Sequence, residues 1–284
     1  MKPLSSYHPV LYFLSVWEKR GRRYLRWYFG KNKYVSGFSQ EKLEYRVKKH
    51  QSVLIRKNPG AELQWQVNKI ENLKIAVRQI SGVIIYPGET FSFCKLVGLP
   101  TRRRGFMEGM ELSFGEARAG IGGGLCQASN LIHWLVIHSD LTVTERHHHS
   151  FDPFPDDGRV LPFGSGATVF YNYRDYAFRN DTPWTYQLNL WMSEKCLEGE
   201  LRINMELDHA YHVYEQEHEF YLLNGKFYRK NEIWRNCIAK YRQGAILKSS
   251  LITRNFAEVK YKPESFREVE TKDLSEDQKL KIAG

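Results

Sequence analysis

Cysteine is scarce in this chain: the 284 residues hold four, Cys94, Cys126, Cys196 and Cys237. They stand too far apart for a CxxC metal site or a dense disulfide framework. Long apolar runs are also missing. The best, His8 to Trp17, is about half the roughly 20 residues needed to cross a bilayer. Little basic charge precedes it, and charges rather than a small-residue cleavage site follow it, so it does not read as a secretory signal. No GxxxxGK[ST] loop and no GxGxxG in a βαβ unit is present, which removes the usual nucleotide cradles. Without a helix-turn-helix, zinc-finger or RNP-type signature, nucleic acid is not an expected partner. No cofactor is expected, and no internal repeat is visible. The expectation is a cytoplasmic protein with reduced thiols, peripheral at the inner face of the membrane.

What is present fills a core: 42% of residues are hydrophobic and 14% aromatic. The net charge of +10 is concentrated at one end. Residues 1–60 hold 14 Lys and Arg against 3 Asp and Glu, leaving 28 against 29 in the rest. Within that basic extension, cations and aromatics interleave from Trp17 to Phe29. Over residues 17–33 this suits contact with an anionic membrane surface; packing of the rings on the body is the alternative.

Apolar spacing predicts a helix over Gln66–Ile80, ended by Gly82, and a second over Cys126–Ser139. Val83–Ile85 reads as a buried strand before the Tyr86-Pro87-Gly88 turn. Alternation predicts strands at Leu141–His147, Ala167–Tyr173 and Trp184–Trp191, and a further strand-like run at Glu200–Leu207. Asn224-Gly225 between Phe220–Leu223 and Lys226–Tyr228 is a strong hairpin signal. The fold class is α+β, an antiparallel-rich sheet packed with a few helices, one starting at the GGGLCQ run. Three parts are expected: a basic extension (1–60), a core domain (61–192) and a hairpin-rich C-terminal extension (193–284) with a frayed charged tail.

Gly122-Gly123-Gly124-Leu125-Cys126-Gln127 places a thiol in the first turn of a helix, where free N–H groups and the helix dipole favour a thiolate. Strand parity puts His147 and His149 on the face with Leu141 and Val143, making them better partners than His148. A Cys at a helix start and a His on a neighbouring strand can form a nucleophile–base pair. The candidate catalytic residues are Cys126, His147, His149 and Asp175, with Glu145 or Asp152 as other carboxylates able to orient the imidazole. Gly122, Gly123, Gly124, Gln127, Glu145 and Arg146 are candidate substrate-binding residues. A lesser reading joins Cys126, His147 and His149, with His133 or His138, around zinc. The bland reading of Cys126 is a small buried hydrophobe.

Four motifs in order carry a resemblance. Tyr86-Pro87-Gly88-Glu89-Thr90-Phe91-Ser92-Phe93 is similar to a PGExFSF element, and Gly122 to Gln127 to GGGxCQ. Glu145-Arg146-His147-His148-His149-Ser150 is similar to ERHxHS, and Asp175 to Asn180 to DxxFxN. Across roughly residues 66–192 the chain resembles the VanW family, associated with glycopeptide-resistance operons. The resemblance implies a role accessory to cell-wall metabolism or glycopeptide resistance and a peptidoglycan fragment or precursor as partner; it implies no known reaction. A Cys–His thiol hydrolase or transferase acting on peptide or amide bonds, or a non-catalytic module binding a wall fragment or glycopeptide, would fit. One position departs: Gly166, in Gly164-Ser165-Gly166-Ala167, stands where the family usually has Asp.

Overall fold

Helices form where apolar residues recur every three or four positions. The computed structural model describes residues 9–55, 63–113, 116–148, 151–152, 160–276 and 278–279. Its helices are α1 (Pro9–Phe29), α2 (Leu63–Ile80), α3 (Phe93–Val97) and α4 (Cys126–Val136). α2 buries Leu73, Ile75, Ala76 and Ile80. It ends at Gly82, whose φ of +83° suits glycine and whose missing Cβ would stand 2.6 Å from Ser39 O. α4 buries Ala128, Leu131, Ile132, Leu135 and Val136. These residues, together with the inner faces of two sheets, form one continuous core.

In chain order the strands are β1 (Lys33–Tyr34), β2 (Gly37–Phe38), β3 (Tyr45–Val53), β4 (Val83–Ile85), β5 (Glu89–Ser92), β6 (Glu108–Ser113), β7 (Glu116–Ile121) and β8 (Thr142–Glu145). They continue with β9 (Phe151–Asp152), β10 (Ala177–Arg179), β11 (Tyr186–Met192), β12 (Cys196–Ile203), β13 (His209–Leu223), β14 (Lys226–Ala239), β15 (Ile246–Val259) and β16 (Arg267–Glu268). Two mixed sheets run β1-β5-β10-β8 and β16-β13-β14-β15-β9, a wholly antiparallel one runs β2-β4-β11-β12-β3, and β6 with β7 makes a hairpin. Most pairings are antiparallel, so the α+β expectation holds.

β11 is central to the second sheet, and its two faces explain its composition. Tyr186, Leu188 and Leu190 enter the core. On the other face Gln187 is buried but satisfied: its amide donates to Ser39 O and Glu41 O, and its carbonyl accepts from Leu43 N–H. β3, from the basic extension, pairs with β12 from Val53↔Cys196 to Tyr45↔Ile203. The Asn-Gly hairpin forms as expected between β13 and β14, with Asn224 and Gly225 at φ of 49° and 75°.

One expected strand does not form. Ala167–Tyr173 alternates like a strand, but Phe170 and Arg174 exchange backbone hydrogen bonds at 2.9 Å around a tight turn. Asn172, at φ 60°, makes that turn. Asn tolerates the left-handed conformation, and its presence among aromatics was the local signal against an extended run.

Candidate functional site

The glycine run is positioned by α2 and by the β6–β7 hairpin. Gly122 and Gly124 have φ of +81° and +91°. A Cβ on Gly123 would lie 2.2 Å from the Gly109 backbone, and one on Gly124 would lie 2.2 Å from Lys69 Cγ. Asn72 on α2 completes the clamp: its amide nitrogen donates to Gly123 O (2.9 Å) and Met107 O (3.0 Å), while its oxygen accepts from Met107 N–H (2.8 Å). The close approach that these glycines permit is therefore to this chain's own residues: the Gly109 backbone and the Pro100 and Lys69 side chains. Gln127 likewise turns to the scaffold, donating to Val53 O and Ser52 Oγ at the end of β3 (2.8 and 3.0 Å).

The first turn of α4 grips residues 167–169. Asn130 Oδ1 accepts from Ala167 N–H at 2.6 Å, and Ser129 Oγ donates to Ala167 O at 2.6 Å. Cys126 Sγ donates to Val169 O at 3.6 Å. From the opposite side Thr168 N–H donates to His147 O at 2.7 Å. The Cys126 thiol and the His147 main chain thus hold one three-residue segment between them. No hydrogen bond joins thiol to imidazole. Burial pushes the Cys126 thiol above its ordinary range, and its bond to the Val169 carbonyl requires the proton on sulfur. In this arrangement the sulfur is a neutral thiol.

His147 is half-exposed, and its Nε2 lies 3.0 Å from Glu145 Oε1. Among the three carboxylates weighed from the sequence, Glu145 is the one that meets the imidazole. Its other partners come from far away in the chain: Arg23 on α1 donates to both carboxylate oxygens (2.6 and 2.7 Å), and Asp175 N–H donates at 3.1 Å. Burial opposes this charge, but the His147 and Arg23 hydrogen bonds and the Arg23 charge outweigh it, holding Glu145 down to about 2. Asp175 stands behind, accepting from Ser92 Oγ (2.5 Å), Cys94 N–H (2.8 Å) and Tyr176 N–H (2.8 Å), with Arg23 Nη1 3.6 Å away. Burial nevertheless raises Asp175 above the usual carboxylate range. Asp152 is remote, paired with Arg229 in the third sheet (3.3 Å). His149, with Ser150, lies outside the described residues.

A cavity of about 470 Å³ opens between α4, β8 and the third sheet, lined by His133, Asp140, Glu145, Arg146 and Arg235 among others. Arg146 donates from Nε to Gly166 O at 2.8 Å and from Nη2 to Gly164 O. Arg235 donates to Ser139 O at 2.9 Å and to Ile137 O at 3.3 Å, just past the end of α4. Neither has a carboxylate partner among the described residues. His133 is buried, with Nδ1 3.2 Å from Tyr176 OH and Nε2 without a partner among the described residues. Burial and the Arg146 charge hold it well below the ordinary histidine range, so it stays neutral. Asp140 is engaged by His209 (3.0 Å) and Tyr211.

At the departing position, a Cβ on Gly166 would stand 2.6 Å from Asn130 Oδ1, so Asn130 occupies the adjoining space. Among the described residues no group of three or more His, Cys, Asp and Glu is placed to hold a metal ion. His138 Nδ1 donates to Trp134 O (2.7 Å). Sequence reasoning missed Arg23, Ser92, Asn130 and Arg235. Arg23 carried no signal beyond being one cation among many.

Residues 68–202 match the family model described as VanW like protein. The chain is 29% identical over 233 residues to the Vancomycin B-type resistance protein VanW of Enterococcus faecalis, covering 82% of this chain and 84% of that one. It is 31% identical over 116 residues to the uncharacterised protein YoaR of Bacillus subtilis, covering 40% of this chain and 36% of that one. No solved structure matches the chain. The glycine–cysteine turn, the Glu145–His147 pair and the Asp175 cluster all fall within the matched residues, so the chain carries a VanW-like domain over residues 68–202.

Proposed function

We propose that the protein acts on peptide or amide bonds of cell-wall material, with Cys126 as nucleophile and His147, oriented by Glu145, as base. The observation that supports this reading is that one segment, residues 167–169, is bound both by the Cys126 thiol, at Val169 O, and by the main chain of His147, at Thr168 N–H, while Glu145 holds the His147 imidazole. Substrate would displace the Val169 carbonyl from the thiol. The thiol proton passes to His147 and sulfur adds to the amide carbonyl. The C–N bond then breaks as that proton moves to the leaving nitrogen. Water or an amine resolves the thioester and regenerates the thiol. The resistance-associated name belongs to the Enterococcus faecalis relative, and it motivates wall peptides as the substrate class here.

Purified peptidoglycan fragments incubated with the protein and followed by mass spectrometry test this reading. Products of amide cleavage or exchange are expected, together with their loss in Cys126→Ser and a decrease of about 10²–10⁴-fold in His147→Ala. Unchanged turnover in Cys126→Ser would remove the thiol from the mechanism. A second reading, a binding module for an acidic wall fragment, is favoured by the unpartnered His133 Nε2 and the two carbonyl-bound guanidinium groups in the cavity. Fragment binding that persists in Cys126→Ser but falls in Arg146→Ala, with no turnover in either, selects it.

A further inference from the structure

The two faces of α1 differ sharply. Val16 and Trp27 are buried on one side, and Arg23 on that side reaches Glu145. Lys95 sits beneath Trp27, Tyr28 and Tyr34, 4.4–5.5 Å from the ring centroids, and Tyr24 OH meets Tyr171 OH at 2.8 Å. On the opposite side Val10, Leu14, Trp17, Gly21 and Leu25 follow one another at steps of four and three, which keeps them on one helical stripe with Tyr28 at its edge. Leu25 is 60% exposed and Tyr28 68%, and Phe29 at the helix end is 84% exposed. An apolar stripe of this length on a monomer's surface is unusual unless something covers it.

We infer that this outer face of α1 lies in the plane of an anionic membrane. From Lys19 to Gln40 there are seven cations and no acid. Arg22 and Arg26 flank the stripe, with side chains 77% and 60% exposed. A helix with an apolar stripe, aromatic residues and flanking arginines suits the headgroup boundary, where rings and hydrocarbon enter and guanidinium groups meet phosphate. A second protein surface would not need that excess of positive charge. No described helix is long and apolar enough to cross a membrane, so α1 lies along the surface. Because Arg23 on the inner face holds Glu145, seating the outer face on lipid would keep the His147 cluster about one helix diameter, roughly 10 Å, from the headgroups. The contact stands whether or not Cys126 is a nucleophile.

Co-sedimentation of the full chain with phosphatidylcholine vesicles, with and without phosphatidylglycerol, tests the inference. Binding to the anionic vesicles that weakens with salt is expected. Leu25→Asp with Phe29→Asp should lower it at least about tenfold without altering the circular dichroism spectrum, since these side chains face solvent. Arg22→Gln with Arg26→Gln should weaken binding to anionic vesicles and flatten its salt dependence. Wild-type protein that stays in the supernatant with anionic vesicles overturns the inference, as does unchanged binding of the Leu25/Phe29 variant. Concentration-dependent self-association in sedimentation velocity, abolished by that same variant, would assign the stripe to a second copy instead.

Discussion

Arg23 joins two carboxylates that would otherwise repel each other in a poorly hydrated place. Glu145 ionises at about 2 in the folded chain against 4.5 ordinarily, because the Arg23 and His147 contacts overcome burial. A carboxylate whose value falls on folding stabilises above its unfolded value and loses that contribution as pH drops through the folded one. The window here runs from about pH 4.5 down to about pH 2, and the contribution is about 3 kcal/mol. Arg23→Ala leaves Glu145 and Asp175 facing each other with only the more exposed Arg26, 3.9 Å from Glu145, close by, so urea unfolding at pH 7 should show a loss of about 3 kcal/mol. At pH 3 the variant's carboxylates are largely protonated and the gap to wild type should narrow. A gap that does not change with pH would mean that Arg23 acts through the packing of its methylenes. Cys126 illustrates how local reasoning about single side chains can mislead: a helix start favours thiolate, yet burial at Val169 holds the proton on sulfur. The sequence pattern identified the cysteine and both acids; it carried nothing about which of them would touch.

The glycine turn before α4 leaves little room for side chains. Gly123 has ordinary backbone angles available to any residue, so its need for glycine is one of space rather than φ: the Gly109 backbone lies where a Cβ would go. Gly123→Ala should push the β6–β7 hairpin from α2 and cost about 1–3 kcal/mol in chemical denaturation. Gly88→Ala is a useful contrast, since nothing lies within 4 Å of its Cβ position and only its φ of +78° resists substitution. A larger loss at Gly88 than at Gly123 would show that backbone strain, rather than packing, governs the glycines. The helix periods over α2 and α4 and the Asn-Gly turn were legible because each depends on neighbours a few residues apart. The expected strand at Ala167–Tyr173 was misread because alternation records which side chains are apolar, while the αL turn at Asn172 reverses the chain beneath them.

Sheet pairings bind distant stretches into one architecture. β3 pairs with β12, and β9 with β15, so strands on either side of residues 60 and 192 share sheets. Starting the chain at residue 61 would remove α1, β1, β2 and β3 together. It would also leave β12 as an exposed edge and Glu145 without Arg23. Such a truncation should lower the thermal midpoint markedly and promote aggregation, read by calorimetry and light scattering; a stable, monomeric product would show that the N-terminal elements are dispensable to the fold. The charge imbalance of the first 60 residues was visible in composition alone. What composition could not show is that one face of the same helix inserts a cation into the candidate site while the other remains apolar and open.

The amphipathic helices, the hairpin turn and the α+β class were set by the sequence, because periodicity and turn chemistry are short-range properties, and motif spacing supplied the candidate site residues. Only the tertiary structure brought Glu145 rather than Asp175 to the His147 imidazole, packed Gln127 and the three glycines against the scaffold, and left Cys126 as a neutral thiol. Those outcomes depend on residues up to 122 positions apart being brought within hydrogen-bonding reach, and on how much water remains around them once they meet.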